Sequence, residues 1–229
     1  MNKFSIALLS ALVCAPFAVA LADTPPSKSD ATSAWTEGGL EKVTVKGLDT
    51  VYTKPGSSLA SYTKVLLGPI SVSFRRGWEK QSAPGSRISI RAQDSQRIKD
   101  KLAKLVREEV VKQLEEGGYK IADAVDDDVL EVNMAIVNLN VNAPDIQSAG
   151  RVTAYAVSAG EMTLVAELRD AATGDIITRV FDRALARESF RPQRITSVDN
   201  AAEARSAAAG WAKALRSELD LAKGAGGKQ

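Results

Sequence analysis

The stretch DSQRIKDKLAKLVREEVVKQLEEGG, from Asp94 to Gly118, decides how the rest of the chain can be arranged. Ile98, Leu102, Leu105, Val106, Val110 and Leu114 recur at helical spacing and fall within about half of the helix circumference. Lys101, Lys104, Arg107, Glu108, Lys112 and Glu115 take the other half. Asp94 or Ser95 is placed to cap the start, and Gly117-Gly118 to supply the left-handed residue that ends it. Apolar strand-like runs lie on both sides, so the pattern predicts a helix packed on a sheet.

Towards the amino terminus, Lys64 to Arg75 reads as a strand. Val65, Leu66 and Leu67 are continuous, and after Gly68-Pro69 the residues Ile70, Val72 and Phe74 alternate with Ser71, Ser73 and Arg75. Proline cannot donate to a sheet ladder, so Pro69 marks a bulge, a bend or an edge. Val43 and Val45 alternate with polar residues, enough for one short edge strand, and Thr53 to Ser58 is a turn. Residues 76–93 form a long polar connection with a short extended piece at Ile88-Ser89-Ile90.

Towards the carboxy terminus, Leu130, Val132, Met134 and Ile136 share one parity, whereas Val137, Leu139 and Val141 share the other. A slip of one residue exchanges the two faces of a strand, so a bulge is expected at Ile136-Val137. Residues 143–160 are a second long connection. Met162 to Leu168, the turn at Asp170 to Asp175 and the return from Ile176 to Arg187 read as a hairpin. An alanine-rich helix closes the chain from about Asp199 to Lys223. Its stripe of Ala204, Ala208, Trp211, Ala212, Leu215 and Leu219 suits close approach to a sheet with Trp211 as anchor.

The order is strand, helix, strand, strand, strand, helix. A strand–helix–strand crossover favours a parallel pair, and the hairpin adds antiparallel strands. The expected class is α+β, an α/β sandwich: one mixed sheet of about four to five strands carrying two long helices. One domain is expected over residues 35–223, after a signal peptide at 1–22 and a disordered leader at 23–34, with 224–229 a frayed tail.

The signal peptide rests on Lys3, the apolar run Phe4 to Phe17 and the small-x-small pattern Ala20-Leu21-Ala22, which places cleavage before Asp23. A membrane-anchoring helix is the alternative, though the run is short of the roughly twenty residues a span needs. Cys14 is preceded by Ala11 and Val13 where a lipidation signal needs leucine and a small residue, so lipidation there is not expected. Without Lys3 the chain carries 29 basic and 28 acidic residues, a balance that excludes a non-specific nucleic-acid binder.

The available chemistry is narrow. There is no histidine, and the one cysteine lies in the export signal, which removes histidine-based triads, thiol catalysis and the usual zinc sites. No cofactor or metal is expected. Asp126-Asp127-Asp128 lacks the glycine and glutamate of a calcium loop and reads as a solvated turn. Glu161 and Glu167 are read as sharing no strand face, so a two-carboxylate hydrolase would need acids from separate elements. The remaining constellation is basic: Arg75 and Arg76 beside Trp78, and Arg179, Arg183 and Arg187 on one strand face. Guanidiniums beside an aromatic suit a carboxylate, a phosphate or an anionic envelope polymer. The same charges also serve as sheet-edge residues that discourage pairing between molecules.

Several pieces resemble a bacterial family of exported and often lipid-anchored proteins, domain of unknown function 3313. They are DTVYTKPG at Asp49 to Gly56, YTKVLLGPISVSF at Tyr62 to Phe74 with Trp78, the Gly117-Gly118-Tyr119 helix end, and AELRDAATG at Ala166 to Gly174. The resemblance implies a cell-envelope protein without an assigned reaction. The layout is also similar to the amino-terminal domain of the Tol system's propeller protein and to curli-type secretion lipoproteins. The chain departs from many members in lacking a usable lipidation cysteine.

The functional expectation is a non-enzymatic periplasmic interaction module that docks an envelope protein through its sheet edge or its two long connections. It has no transmembrane helix, and its association with the outer membrane would be peripheral. The alternatives are a binder of an anionic envelope ligand or lipid on the arginine-lined face, and a carboxylate-based hydrolase of an envelope polymer.

Overall fold

Helix α1 spans Ala92–Glu116 and turns Leu102, Val106, Val110 and Leu114, one every fourth residue, into the core. The structure, a computed structural model, describes residues 35–36, 38–78, 91–141, 154–156, 160–186 and 193–226, all within one compact unit, Trp35–Gln229. The leader, Cys14, Ile88 to Ile90, most of both long connections and Arg187 lie outside the described residues.

The start of α1 differs from expectation. Arg91 is the cap and gives no side-chain hydrogen bond. Asp94 sits inside the first turn, buried, with its carboxylate 3.0 Å from Arg97. An acid there faces the positive end of the helix dipole, which explains the placement without a capping role. At the other end the Tyr119 N–H donates to the Leu114 carbonyl and the Gly118 N–H to that of Glu115. Gly118 supplies the left-handed residue at φ 79°, and Leu114 and Tyr119 are both buried, completing the hydrophobic part of the motif.

The strands are β1 (Glu41–Val43), β2 (Thr50–Thr53), β3 (Lys64–Leu67), β4 (Ser71–Phe74), β5 (Lys120–Ile121), β6 (Val129–Val141), β7 (Ala154–Ala156), β8 (Gly160–Asp170), β9 (Ile176–Leu185) and β10 (Gln193–Ile195), before helix α2 (Ser197–Gly226). Among the described residues eight of them form one mixed sheet in the order β1-β2-β9-β8-β6-β3-β5, with β4 also on β6, while β7 and β10 pair separately. The α+β class is as expected, but the sheet holds eight strands where four to five were read. The surplus comes from β2 and β5, whose four and two residues are too short to carry a period, and from the split of one expected strand at Gly68-Pro69, while the expected edge strand at Val43 is β1. On either side of that break, β3 runs parallel to Val129–Val132 and β4 to the Ala135–Leu139 part of β6.

The parity change in β6 is a bulge, displaced slightly from its expected place. Val137 pairs with Thr163 and Asn140 with Glu161, so Asn138 and Leu139 together oppose Met162. Asn138 takes φ 54°, a conformation asparagine tolerates better than the β-branched residues around it. Just beyond, a Cβ on Gly160 would stand 2.1 Å from the Asn140 carbonyl oxygen. Gly160→Ala is therefore expected to force the two strands apart and cost about 1–3 kcal/mol, measured by urea unfolding.

Even-numbered residues of β8, Met162 to Leu168, face the helices, and so do Val132, Met134 and Ile136 of β6. Helix α2 opens with a reciprocal cap. The Thr196 N–H donates to Asp199 Oδ2 (2.7 Å) and the Asp199 N–H to Thr196 Oγ1 (3.4 Å). The two helices are tied to each other by Arg205–Glu109 (3.0 Å), Arg216–Glu116 (3.9 Å) and a Tyr119 hydroxyl that donates to Asp220 (2.9 Å).

Two tyrosines and one carboxyl fix the expected pH limits of this packing. Burial, then the hydrogen bond to Asp220, pushes the Tyr119 phenol far above its ordinary value of 10.0; Tyr62, bonded to Asp170, is pushed up likewise. The Thr173 N–H and the Tyr62 hydroxyl hold Asp170 below the ordinary 3.8. Stability from the tyrosines is intact below about pH 10 and is lost as pH rises above it, where the unfolded chain ionises. That from Asp170 is intact above about pH 4 and is lost as pH falls below it. Tyr119→Phe should flatten the alkaline limb of a thermal-melting profile, and Asp170→Asn the acid limb.

Candidate functional site

The strand face turned away from the helices carries the arginines, and each described one of β9 stands beside a glutamate. Arg183 Nη2 lies 2.6 Å from Glu161 Oε2, and Arg75 Nη1 lies 3.3 Å from Oε1 of the same residue. Arg179 Nε lies 3.0 Å from Glu167 Oε2, with Arg169 on the other carboxylate oxygen. Glu161 and Glu167 share one face of β8, a correction to the parity reading: six residues are an even number of steps, so they stand roughly 20 Å apart along one side. Each carboxylate is held between two guanidiniums, so these arginines are engaged within the sheet. Arg76 is exposed, and Arg187 lies outside the described residues.

Trp78 does not stand beside the arginines as an open platform. It is 2% exposed, stacks on Phe74 at 4.0 Å, and donates its indole N–H to the Val141 carbonyl (3.0 Å). Asp126 and Asp128 both bind the Lys64 ammonium, at 2.9 and 2.8 Å, which pushes that lysine up to about 12 and holds the two carboxyls below their ordinary value. Among the described residues no cluster of three or more metal-ligating side chains occurs.

The larger feature lies on the opposite face. Between the sheet and α2 is a cavity of about 630 Å³. Its floor is Val132, Leu164, Ala166, Leu168 and Val180 from three neighbouring strands. Its roof is α2, through Trp211, Ala212, Ala214, Leu215 and Ala222. The β1–β2 connection, Val43 to Leu48, and the turn at Ser57 to Leu59 close the side. Val43 and Leu221, 40% and 66% exposed, mark the mouth.

The small residues of α2 do not draw the helix onto the sheet along its whole length, as their stripe suggested. Trp211 acts as a spacer: its indole N–H donates to the buried Asp182 Oδ2 at 2.7 Å. Asp182 also accepts the Asp49 N–H (2.8 Å), and Asp49 in turn accepts the Arg183 N–H (3.0 Å), which fastens the end of the β1–β2 connection to β9. Because the contacts to Glu109, Glu116 and Tyr119 hold α2 against α1, the alanines beyond Trp211 leave space unfilled. Packed layers ordinarily close against each other, so an open cleft of this size between the sheet and α2 is a feature in its own right. Sequence reading missed it because its lining residues are the same apolar types that fill a core.

Polar groups inside are already engaged. Thr53 Oγ1 and Thr178 Oγ1 share a hydrogen bond (3.2 Å), and Ser57 donates to the Lys54 carbonyl (2.6 Å). The wall is therefore mainly apolar, with Thr53, Ser57 and Thr178 already bonded within it and Thr44, Ser58 and Glu218 at its rim.

The fold and cavity define a layered α+β protein, a main sheet backed by two helices, with a mainly apolar space open at one end between the layers. The chain belongs to the family described as Protein of unknown function (DUF3313), whose model matches residues 37–215. No curated protein sequence matches it. Among solved structures it is similar to a Xanthomonas campestris protein of the family model DUF330, at 15% identity and TM-score 0.42 over 77% of this chain and 94% of that one. It is also similar to the PelC dodecamer from Paraburkholderia phytofirmans (14% identity, TM-score 0.37, 73% and 96% covered). A third similar structure is a DUF4136 family protein from Bacteroides thetaiotaomicron (10% identity, TM-score 0.35, 74% and 94% covered). Among the described residues no helix is long and apolar enough to cross a membrane.

Proposed function

We propose that this protein is a non-enzymatic binding module of the periplasm whose ligand occupies the cavity between the sheet and α2. The observation that carries this reading is a mainly apolar space of about 630 Å³, open at one end, between the sheet and α2. Ligand sites fall within roughly 300–1,000 Å³ and combine apolar walls with a few polar groups. The sequence pattern expected of an export signal at residues 1–22 supports the compartment, and the lack of histidine supports binding without turnover. An envelope partner would meet the protein at the mouth, where Val43 and Leu221 are exposed.

The test is uptake of 1-N-phenylnaphthylamine, which fluoresces in apolar surroundings. The wild-type chain is expected to take it up saturably with one site per molecule. Ala166→Phe, which fills the floor, should abolish uptake while keeping the circular dichroism of the folded protein. Equal uptake by both would place the dye elsewhere and overturn the reading.

A further inference from the structure

We infer that the ligand is a single-chain amphiphile with an uncharged, hydroxyl-bearing headgroup, its hydrocarbon chain in the cavity and its head at the mouth. This rests on the cavity reading above and adds the chemical class. Three observations lead to it. First, the hydroxyls of Thr53 and Thr178 are bonded to each other and leave a single O–H donor between them, too few partners to repay a polar headgroup inserted there for its lost water. Second, a methylene takes up about as much room as a water molecule, roughly 30 Å³, so the space of about 630 Å³ holds on the order of twenty such groups, which suits one chain and not a bulkier multi-chain lipid. Third, Glu218 is the one charged residue among the described lining residues, and it stands at the rim with Thr44 and Ser58. A carboxylate or phosphate head would meet a like charge there with no lining lysine or arginine to offset it. A hydroxylated head can donate to Glu218 and exchange hydrogen bonds with the two hydroxyl side chains.

The experiment is calorimetric titration of the full chain with 1-monoacylglycerols of eight to eighteen carbons and with fatty acids of the same lengths, each below its aggregation concentration. Binding is expected at one per chain and should tighten by about fourfold per methylene until the cavity is full. At neutral pH the fatty acid should bind at least about tenfold more weakly than its glyceride, and Glu218→Lys should reverse that order. Fatty acids binding wild type as tightly as glycerides would overturn the assignment, as would affinity independent of chain length. If phenylnaphthylamine is taken up but no single-chain lipid binds, the ligand class falls and the cavity reading stands; if neither binds, both fall. Ala214→Phe, at a half-buried position of the roof, serves as a second filled-cavity variant and should weaken every chain alike.

Discussion

Replacing Trp211 by alanine is expected to cost the fold about 3–5 kcal/mol, one of the two largest effects expected in the molecule. Two losses combine. The indole is nearly buried and separates α2 from the sheet, so truncation removes contact on both sides of the core. Its N–H is also a hydrogen-bond partner of the Asp182 carboxylate, 8% exposed in the middle of the layer. Trp211→Phe keeps most of the packing and loses only the charge-assisted hydrogen bond, for which about 1.5–3 kcal/mol is expected. Urea unfolding of the two variants separates the terms. Equal costs would mean that the hydrogen bond, not the spacing, holds α2 in place.

Glu167→Ala is the second. Its carboxylate lies between Arg169 and Arg179, and with both partners largely buried the removal leaves guanidiniums facing each other in the sheet. Breaking such a pair costs about 3–5 kcal/mol. Glu161→Ala removes the equivalent acid between Arg75 and Arg183, but those arginines are about half exposed, and water takes over much of the work. The expected cost there is below about 1 kcal/mol. Similar costs at the two sites would show that burial is not what distinguishes them.

These contrasts also explain what could be read in advance. Long periodic segments announce themselves: α1, the β8–β9 hairpin and α2 follow from spacing, and the parity change in β6 located its bulge to within two residues. Short strands such as β2 and β5 do not, because their pairing is set by what lies beside them. The arginines of β9 were visible, but their glutamate partners come from the neighbouring strand β8, and only register brings Glu167 opposite Arg179. The cavity was illegible for a further reason. An alanine-rich stripe is compatible with close contact and with empty space, and the choice is made by where Trp211, Arg205 and Arg216 hold the helix.

The central claim is that the interlayer space is made to be filled. Native mass spectrometry of the protein recovered without detergent from the cells that make it tests this most directly, beside Ala166→Phe prepared in the same way. The wild-type chain is expected to carry one adduct of lipid mass that the variant lacks. A bare wild-type chain that also fails to take up phenylnaphthylamine would contradict the account.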